Sequence, residues 1–290
     1  MNRSIAVLGP STYSEEAAAW LLQGTDWRLE SCKTIADVFE STLSGNTAYS
    51  VVPVENTFEG SVSLHIDWLV NEADLPIQAE WVYPIHVNLM ALPGFAGDLS
   101  SVRKVLSHQV TFAQCKRFLT EHLPHAELEP VASNSEGARL LTERGDAHTV
   151  AIGPATAAAR YGLKLLATAI HDHKNNFTRF VLAGKGALPE FAPEGRGAAS
   201  RKTTLLLVPG EDFPGGLHQL LSAFAWRRLN LTKIESRPTK RQLGTYYFYV
   251  DVEAPMESVL LQGAIEEIRA VGCDVRVMGS YPTYRYHSNA

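Results

Sequence analysis

The sequence has few cysteines, no long apolar run and no basic cluster, and each of these absences removes a class of function. The three cysteines, Cys32, Cys115 and Cys273, are odd in number and far apart. They form neither a disulfide framework nor the paired spacing of a zinc site, so the expectation is a reducing, cytoplasmic setting without a structural metal. No apolar run approaches the roughly 20 residues that a helix needs to cross a bilayer, and MNRSIAVLGP becomes strand-like too early for a signal peptide. Neither export nor membrane insertion is expected. The 26 Lys and Arg residues are dispersed and the formal charge is -5, which leaves no electrostatic footprint for nucleic acid. Small molecules are the expected partners.

What is present is ordinary for a globular protein: 45% apolar and 20% charged residues in a chain of 290, long enough for two domains. Short apolar runs such as SIAVL, YSVVPV, VRKVLS, HTVAIG and TRFVLAG alternate with helix-like segments such as SEEAAAWLL, IADVFESTL and SEGARLLTE. That alternation predicts an α/β domain. The long extended stretch WVYPIHVNLMAL, centred on Pro84, can carry the chain between two lobes, so the first domain reads as bilobal with a cleft. Around Glu190 the hydrophobic period fails in PEFAPEGRGAASRK, which marks a linker. Beyond it the order is strand, helix, strand, strand, helix, strand, the split β-α-β-β-α-β arrangement with both helices on one face of a small sheet. The expected division is residues 1–188, a linker over 189–201 and a second domain over 202–284.

Four segments offer chemistry in the first domain. In VVPVENTFEGSV a buried strand stops on Glu55 and Asn56, at the edge of an α/β sheet where ligands bind. Asn56 or Thr57 is expected to cap a following helix, whose free N–H groups attract a carboxylate, while the plainer reading makes Asn56 only a cap and Glu55 only solvated. In HDHKNNFTRFVL, Asn176, Thr178 and Arg179 lead into a strand; Thr178 can donate a hydrogen bond, and Arg179 either pairs with an anion or braces the lobe. His171 and His173 lack a third ligand at metal-binding spacing. In SHQVTFAQCKRFL, Gln114 and Cys115 fall in the opening turns of a helix, with Cys115 read as a buried apolar residue rather than a nucleophile. In GPSTYSEEAA, Ser11, Thr12 and Ser14 are potential caps and hydroxyl donors.

These segments, with AIGPATAAARYGL, NNFTRFVLAG, PGGL and ESRP, resemble in kind and order the prephenate dehydratase family with its C-terminal ACT regulatory domain. The resemblance spans nearly the whole chain, and VENT, NFTRF and ESRP are its most specific elements. It implies a bilobal, periplasmic-binding-protein-like catalytic domain joined to a ferredoxin-like ACT domain. It also implies conversion of prephenate to phenylpyruvate with loss of water and carbon dioxide, feedback control by L-phenylalanine, and a homodimer or dimer of dimers. By the same resemblance Thr178, Glu55, Asn56 and Gln114 are the catalytic residues, and Ser11, Thr12, Ser14, Ser133, Asn176 and Arg179 face substrate. Gly215, Gly216, Leu217, His218, Glu235, Ser236, Arg237 and Pro238 form the phenylalanine site. No chorismate mutase segment is expected before the dehydratase. The chain departs from the family pattern where Pro10 is followed directly by Ser11 without an intervening Gly, where Gln109 and Val110 follow His108, and where Ala132 replaces a carboxylate found in some members.

Aromatisation of the ring drives the elimination, so neither cofactor nor metal is expected; Thr178 donates to the leaving oxygen, and Glu55 serves either as an acid or as an anchor for neighbouring donors. Two other readings stand beside this one: an arogenate dehydratase, whose substrate has an amino group in place of the keto group, and a non-catalytic amino-acid sensor.

Overall fold

The computed structural model describes residues 3–186, 198–211, 213–239 and 245–286. Residues 189–197 of the expected linker lie outside the described residues. The chain divides into two units, Met1–Ile66 with Val82–Phe180, and Asp67–Trp81 with Val181–Ala290.

The first unit opens with β1 (Ser4–Leu8), α1 (Tyr13–Leu21), β2 (Arg28–Cys32), α2 (Ile35–Leu43) and β3 (Tyr49–Asn56). β1 lies between β2 and β3 and is parallel to both. Side-chain caps set the helix starts, because the first N–H groups of a helix have no partner within it. The Thr12 hydroxyl accepts from Glu15 N at 3.3 Å, and Thr34 and Asp37 form a reciprocal capping box. β3 does not lead into a helix. It turns back through β4 (Gly60–Ser61), which pairs Asn56 with Gly60 and Glu55 with Ser61, and Gly60 takes the positive φ of 72° that this turn requires. α3 (Ser63–Asp67) follows only after this hairpin, and is five residues long.

The chain then runs through β5 (Ile77–Pro84), β6 (Asn88–Ala91), β7 (Lys104–Ser107), α4 (Gln109–Gln114), α5 (Lys116–His122), β8 (Glu127–Pro130), α6 (Asn134–Arg144), β9 (Thr149–Gly153), α7 (Ala155–Tyr161) and β10 (Lys164–Ala167). The second lobe is a five-stranded sheet in the order β10-β6-β9-β7-β8, with Met90, Leu106, Leu141 and Ala151 in its core. The chain returns along β11 (Phe177–Ala183), beside β3. The two crossings meet as backbone: Ile85 N donates to Asn176 O and Ile170 N to Val87 O, both at 2.8 Å. The stretch around Pro84 thus carries the chain between lobes, as its extended pattern predicts.

The second unit contains β12 (Ser200–Pro209), α8 (Gly216–Ala225), β13 (Leu231–Pro238), β14 (Tyr246–Val252), α9 (Val259–Ala270) and β15 (Cys273–Arg285). Their sheet order is β13-β14-β12-β15, antiparallel throughout, which is the ferredoxin-like arrangement. Ser200 and Arg201, expected in the linker, already belong to β12. Leu220 and Phe224 of α8 and Leu261, Ile265 and Ile268 of α9 bury against Leu205, Leu207, Val250 and Val275, so both helices cover one face.

The same unit takes in Asp67–Trp81, a segment far away in sequence. Arg276 donates to Val70 O at 3.0 Å and pairs with Asp74 at 2.8 Å, and Lys202 pairs with Glu80 at 2.8 Å. Leu69, Leu75, Ile77 and Trp81 are fully buried. At Gly279 of β15 an added Cβ would stand 2.2 Å from Ile77 O, so only glycine permits this approach of β15 to β5.

Candidate active site

The carboxamide of Asn56 joins most of the candidate residues to one another. Its Oδ1 accepts from Phe58 N at 2.9 Å and from Glu59 N at 3.3 Å, closing the hairpin turn instead of capping a helix. That fixes which way the amide points. Its Nδ2 therefore faces β11 and donates to Thr178 Oγ1 at 2.9 Å, to Asn176 Oδ1 at 3.1 Å and to Phe177 O at 3.2 Å. Residues separated by about 120 positions are joined here because β3 and β11 are neighbours, and the pairing advances in opposite directions: Thr57 with Phe177, Asn56 with Thr178, Glu55 with Arg179.

Successive residues of a strand face opposite ways, so this register sorts the candidates. Asn56 and Thr178 share one face of the sheet. Glu55 and Arg179 share the other, where Glu55 Oε2 lies 3.0 Å from Arg179 Nε and the arginine is buried. Of the two roles considered for each, the geometry favours a brace between strands for Arg179, and for Glu55 the anchoring role over that of an acid beside Thr178. The helix N-terminus expected directly at Asn56 as an anion site is displaced: the hairpin occupies that place, and α3 begins only at Ser63.

Gln114 closes the site from the second lobe. Its Nε2 donates to Glu59 Oε1 at 3.0 Å, and its Oε1 accepts from Asn176 Nδ2 at 3.4 Å. The helix expected to run through Gln114 and Cys115 breaks there instead, and α5 starts afresh with Arg117 N donating to the Asp172 carboxylate at 3.0 and 3.1 Å. Gln114 thus ends a short helix rather than opening a long one. Burial first, and then the Asp172 carboxylate, push the Cys115 thiol up to about 12, which rules it out as a thiolate nucleophile at neutral pH.

Other candidates are used for structure. Ser133 caps α6 by accepting from Glu136 N at 3.1 Å, and Thr12 caps α1. The Ser11 N–H donates to the Glu15 carboxylate, so the chain's own anion meets the start of α1; Ser14 is buried on that helix. Asn134, next to Ser133, carries more than sequence reasoning assigns it: its Oδ1 accepts from Ser107 Oγ at 2.9 Å, His108 N at 3.0 Å and Thr111 Oγ1 at 3.0 Å, fixing α4 to the second lobe. The only signal in the sequence is an Asn beside a helix cap, which is common.

In the second unit a cavity of about 850 Å³ is lined by Gly215, Gly216, Leu217, His218 and Ser236, together with Phe213, Tyr246 and Phe248. Strand alternation sets Glu235 and Arg237 on the face opposite Ser236, while Pro238 shares the Ser236 side at the strand end. Ser236 faces this cavity, whereas Glu235, Arg237 and Pro238 are not among its lining residues. Arg237 is buried and donates to Asp67 Oδ1 from Nη2 at 2.6 Å and from Nε at 3.0 Å, and to Glu235 Oε1 from Nη1 at 2.7 Å.

The prephenate dehydratase family model matches residues 5–187, and the ACT domain model matches residues 204–270. A prephenate dehydratase of Bacillus subtilis is 38% identical over 254 residues, 87% of this chain and 89% of that protein. A crystal structure of prephenate dehydratase from Arthrobacter aurescens in complex with L-Phe is 33% identical with a TM-score of 0.85, covering 96% of this chain and 89% of that one. A structure named GqqA and described as a quorum quenching acylase is 28% identical with a TM-score of 0.83, covering 97% of this chain and 98% of that one. This fold is thus named with more than one chemistry, so an activity has to be argued from the site. By family match, identity and coverage, the chain belongs to the prephenate dehydratase family and carries an ACT domain after the dehydratase region.

Proposed function

We propose that residues 1–188 dehydrate and decarboxylate prephenate to phenylpyruvate, and that residues 202–284 sense L-phenylalanine. One observation carries the catalytic reading: the Thr178 hydroxyl accepts the Asn56 amide, and no acceptor for its own proton stands among the described residues. A hydroxyl polarised from behind and free in front is a donor waiting for an oxygen. It orients and polarises the leaving hydroxyl of prephenate rather than releasing a free proton, because threonine is a poor acid at neutral pH. The ring carboxylate must depart as carbon dioxide, so an ion pair there would stabilise the ground state. Amide donors such as Gln114 suit it better than a cation, and the burial of Arg179 against Glu55 agrees with that arrangement. Asn176 holds the Asn56 and Gln114 amides together, and Ser11, Thr12, Ser14 and Ser133 shape the helix starts around the cleft.

The full chain, supplied with prephenate and no metal or nucleotide, is expected to produce phenylpyruvate, followed by its absorbance. A folded chain that binds prephenate and leaves it unchanged would sink the enzyme reading in favour of a sensor. Faster turnover of arogenate than of prephenate would assign the other dehydratase activity.

The effector reading rests on the cavity at the start of α8, where Gly215 takes a φ of 92° and the first-turn N–H groups can meet a carboxylate. Gly216→Leu is the cleaner test, since a Cβ there meets only the Phe213 ring at 3.5 Å, whereas any side chain at Gly215 strains the backbone. The concentration of phenylalanine that halves each variant's own turnover should rise roughly tenfold or more, the equivalent of about 1.4 kcal/mol of binding. Inhibition that is purely competitive and unchanged by Gly216→Leu would leave the ACT domain only a structural role. Trp226, Val259 and Leu260, exposed on the helical side of this unit, offer surface for a second copy, consistent with a homodimer or dimer of dimers. No helix among the described residues is long and apolar enough to cross a membrane, and three cysteines free of disulfides suit the cytoplasm.

A further inference from the structure

We infer that Glu59 is a positioning residue for the dehydration, aiming the Gln114 amide into the cleft; the inference rests on the prephenate reading above. Glu59 sits on the hairpin turn between β3 and β4, and that turn is held on every side. Thr57 N donates to Phe177 O at 3.0 Å, the Phe58 ring stacks on His173 with centroids 4.9 Å apart, and Glu59 N donates to Asn56 Oδ1 at 3.3 Å. The Glu59 backbone is therefore tied to the amide that polarises Thr178, while its side chain reaches across to the second lobe and accepts from Gln114 Nε2 at 3.0 Å.

The chemistry of that acceptor decides the orientation of Gln114. A carboxylate only accepts, so the nitrogen of the Gln114 amide must face it and the carbonyl must turn to Asn176. The bond from Asn176 Nδ2 to Gln114 Oε1 is long, 3.4 Å, and on its own holds the amide weakly. The bond to Glu59 is charge-assisted and stronger. One N–H of Gln114 is spent on Glu59, and the second is left to donate to substrate. Without Glu59, a glutamine at the end of a six-residue helix has several free torsions and no strong reason to present that N–H.

The test is a double-mutant cycle on the full-length chain, with kcat and KM for prephenate. Glu59→Ala should lower kcat/KM about tenfold, in line with a hydrogen bond to a charged group. Glu59→Gln, whose carbonyl can still accept, should stay within about threefold of the parent. In a Gln114→Ala background, Glu59→Ala should have no further effect beyond about twofold, because the residue it acts through is gone. Losses that add in the double variant, an unaffected Glu59→Ala, or a Glu59→Gln as impaired as Glu59→Ala would each overturn the role. Parent turnover is measured first: a parent without phenylpyruvate formation overturns the dehydratase reading and this role together, whereas an active parent with additive losses overturns the Glu59 role alone.

Discussion

Thr178→Val is expected to lower kcat about 100-fold, the scale of removing one preorganised donor, while KM stays within roughly threefold. Valine preserves the shape and the β-branched fit to β11, so the strand and its neighbours remain. The substitution removes one acceptor for Asn56 Nδ2, which retains Asn176 Oδ1 and Phe177 O. The loss is thereby confined to the proton that Thr178 directs outward. That proton's bond strengthens as charge develops on the departing oxygen, which places the effect in kcat. Thr178→Ser restores the hydroxyl without the methyl and should recover most of the rate. A normal kcat with a raised KM would make Thr178 a binding residue and move the leaving-group donor elsewhere.

Asp67→Ala should destabilise the second unit by about 3 kcal/mol, read as a lower urea midpoint at unchanged slope. Its carboxylate takes two N–H groups of a buried guanidinium, and alanine removes both of those bonds while Glu235 stays. A charge held out of water after losing its closest carboxylate is the costly outcome, more so than removal of the pair. Asp67→Leu combined with Arg237→Met should therefore recover much of the loss, since Glu235 keeps Lys233 at 3.2 Å. An Asp67→Ala midpoint matching the parent would show that Arg237 is adequately solvated without it.

Strand and helix alternation was readable in the sequence because it rests on local periods, and the ferredoxin-like order follows from six well-separated runs. The meeting of Asn56 with Thr178 was only partly legible. Each stands at a strand end, but their adjacency depends on β3 and β11 being neighbours, which no local pattern encodes. The hairpin after Asn56 looks like a helix start in the sequence for a physical reason: an asparagine Oδ1 closes a turn as readily as it caps a helix. The break at Cys115 was hidden because the residue that starts α5 anew, Asp172, lies more than fifty positions away. By contrast, the opposite facing of Ser236 and Arg237 follows from strand alternation alone, and ESRP reads as one binding unit only while that period is set aside.

The placement of Asp67–Trp81 in the second unit bears on how this protein can be dissected. Cutting between Ala183 and Ser200 looks like a clean way to obtain the regulatory module, since that is where the hydrophobic pattern lapses. The fragment would lack the segment that supplies Asp67 to Arg237, Asp74 to Arg276 and Glu80 to Lys202, three ion pairs whose basic partners all lie beyond the cut. It would also lose Leu69, Leu75, Ile77 and Trp81, all buried in the intact chain. Newly bared apolar surface of that kind drives self-association. Such a fragment is expected to aggregate or recruit a substitute, and its ligand affinity would not report on the enzyme; effector binding is better followed in the uncut polypeptide.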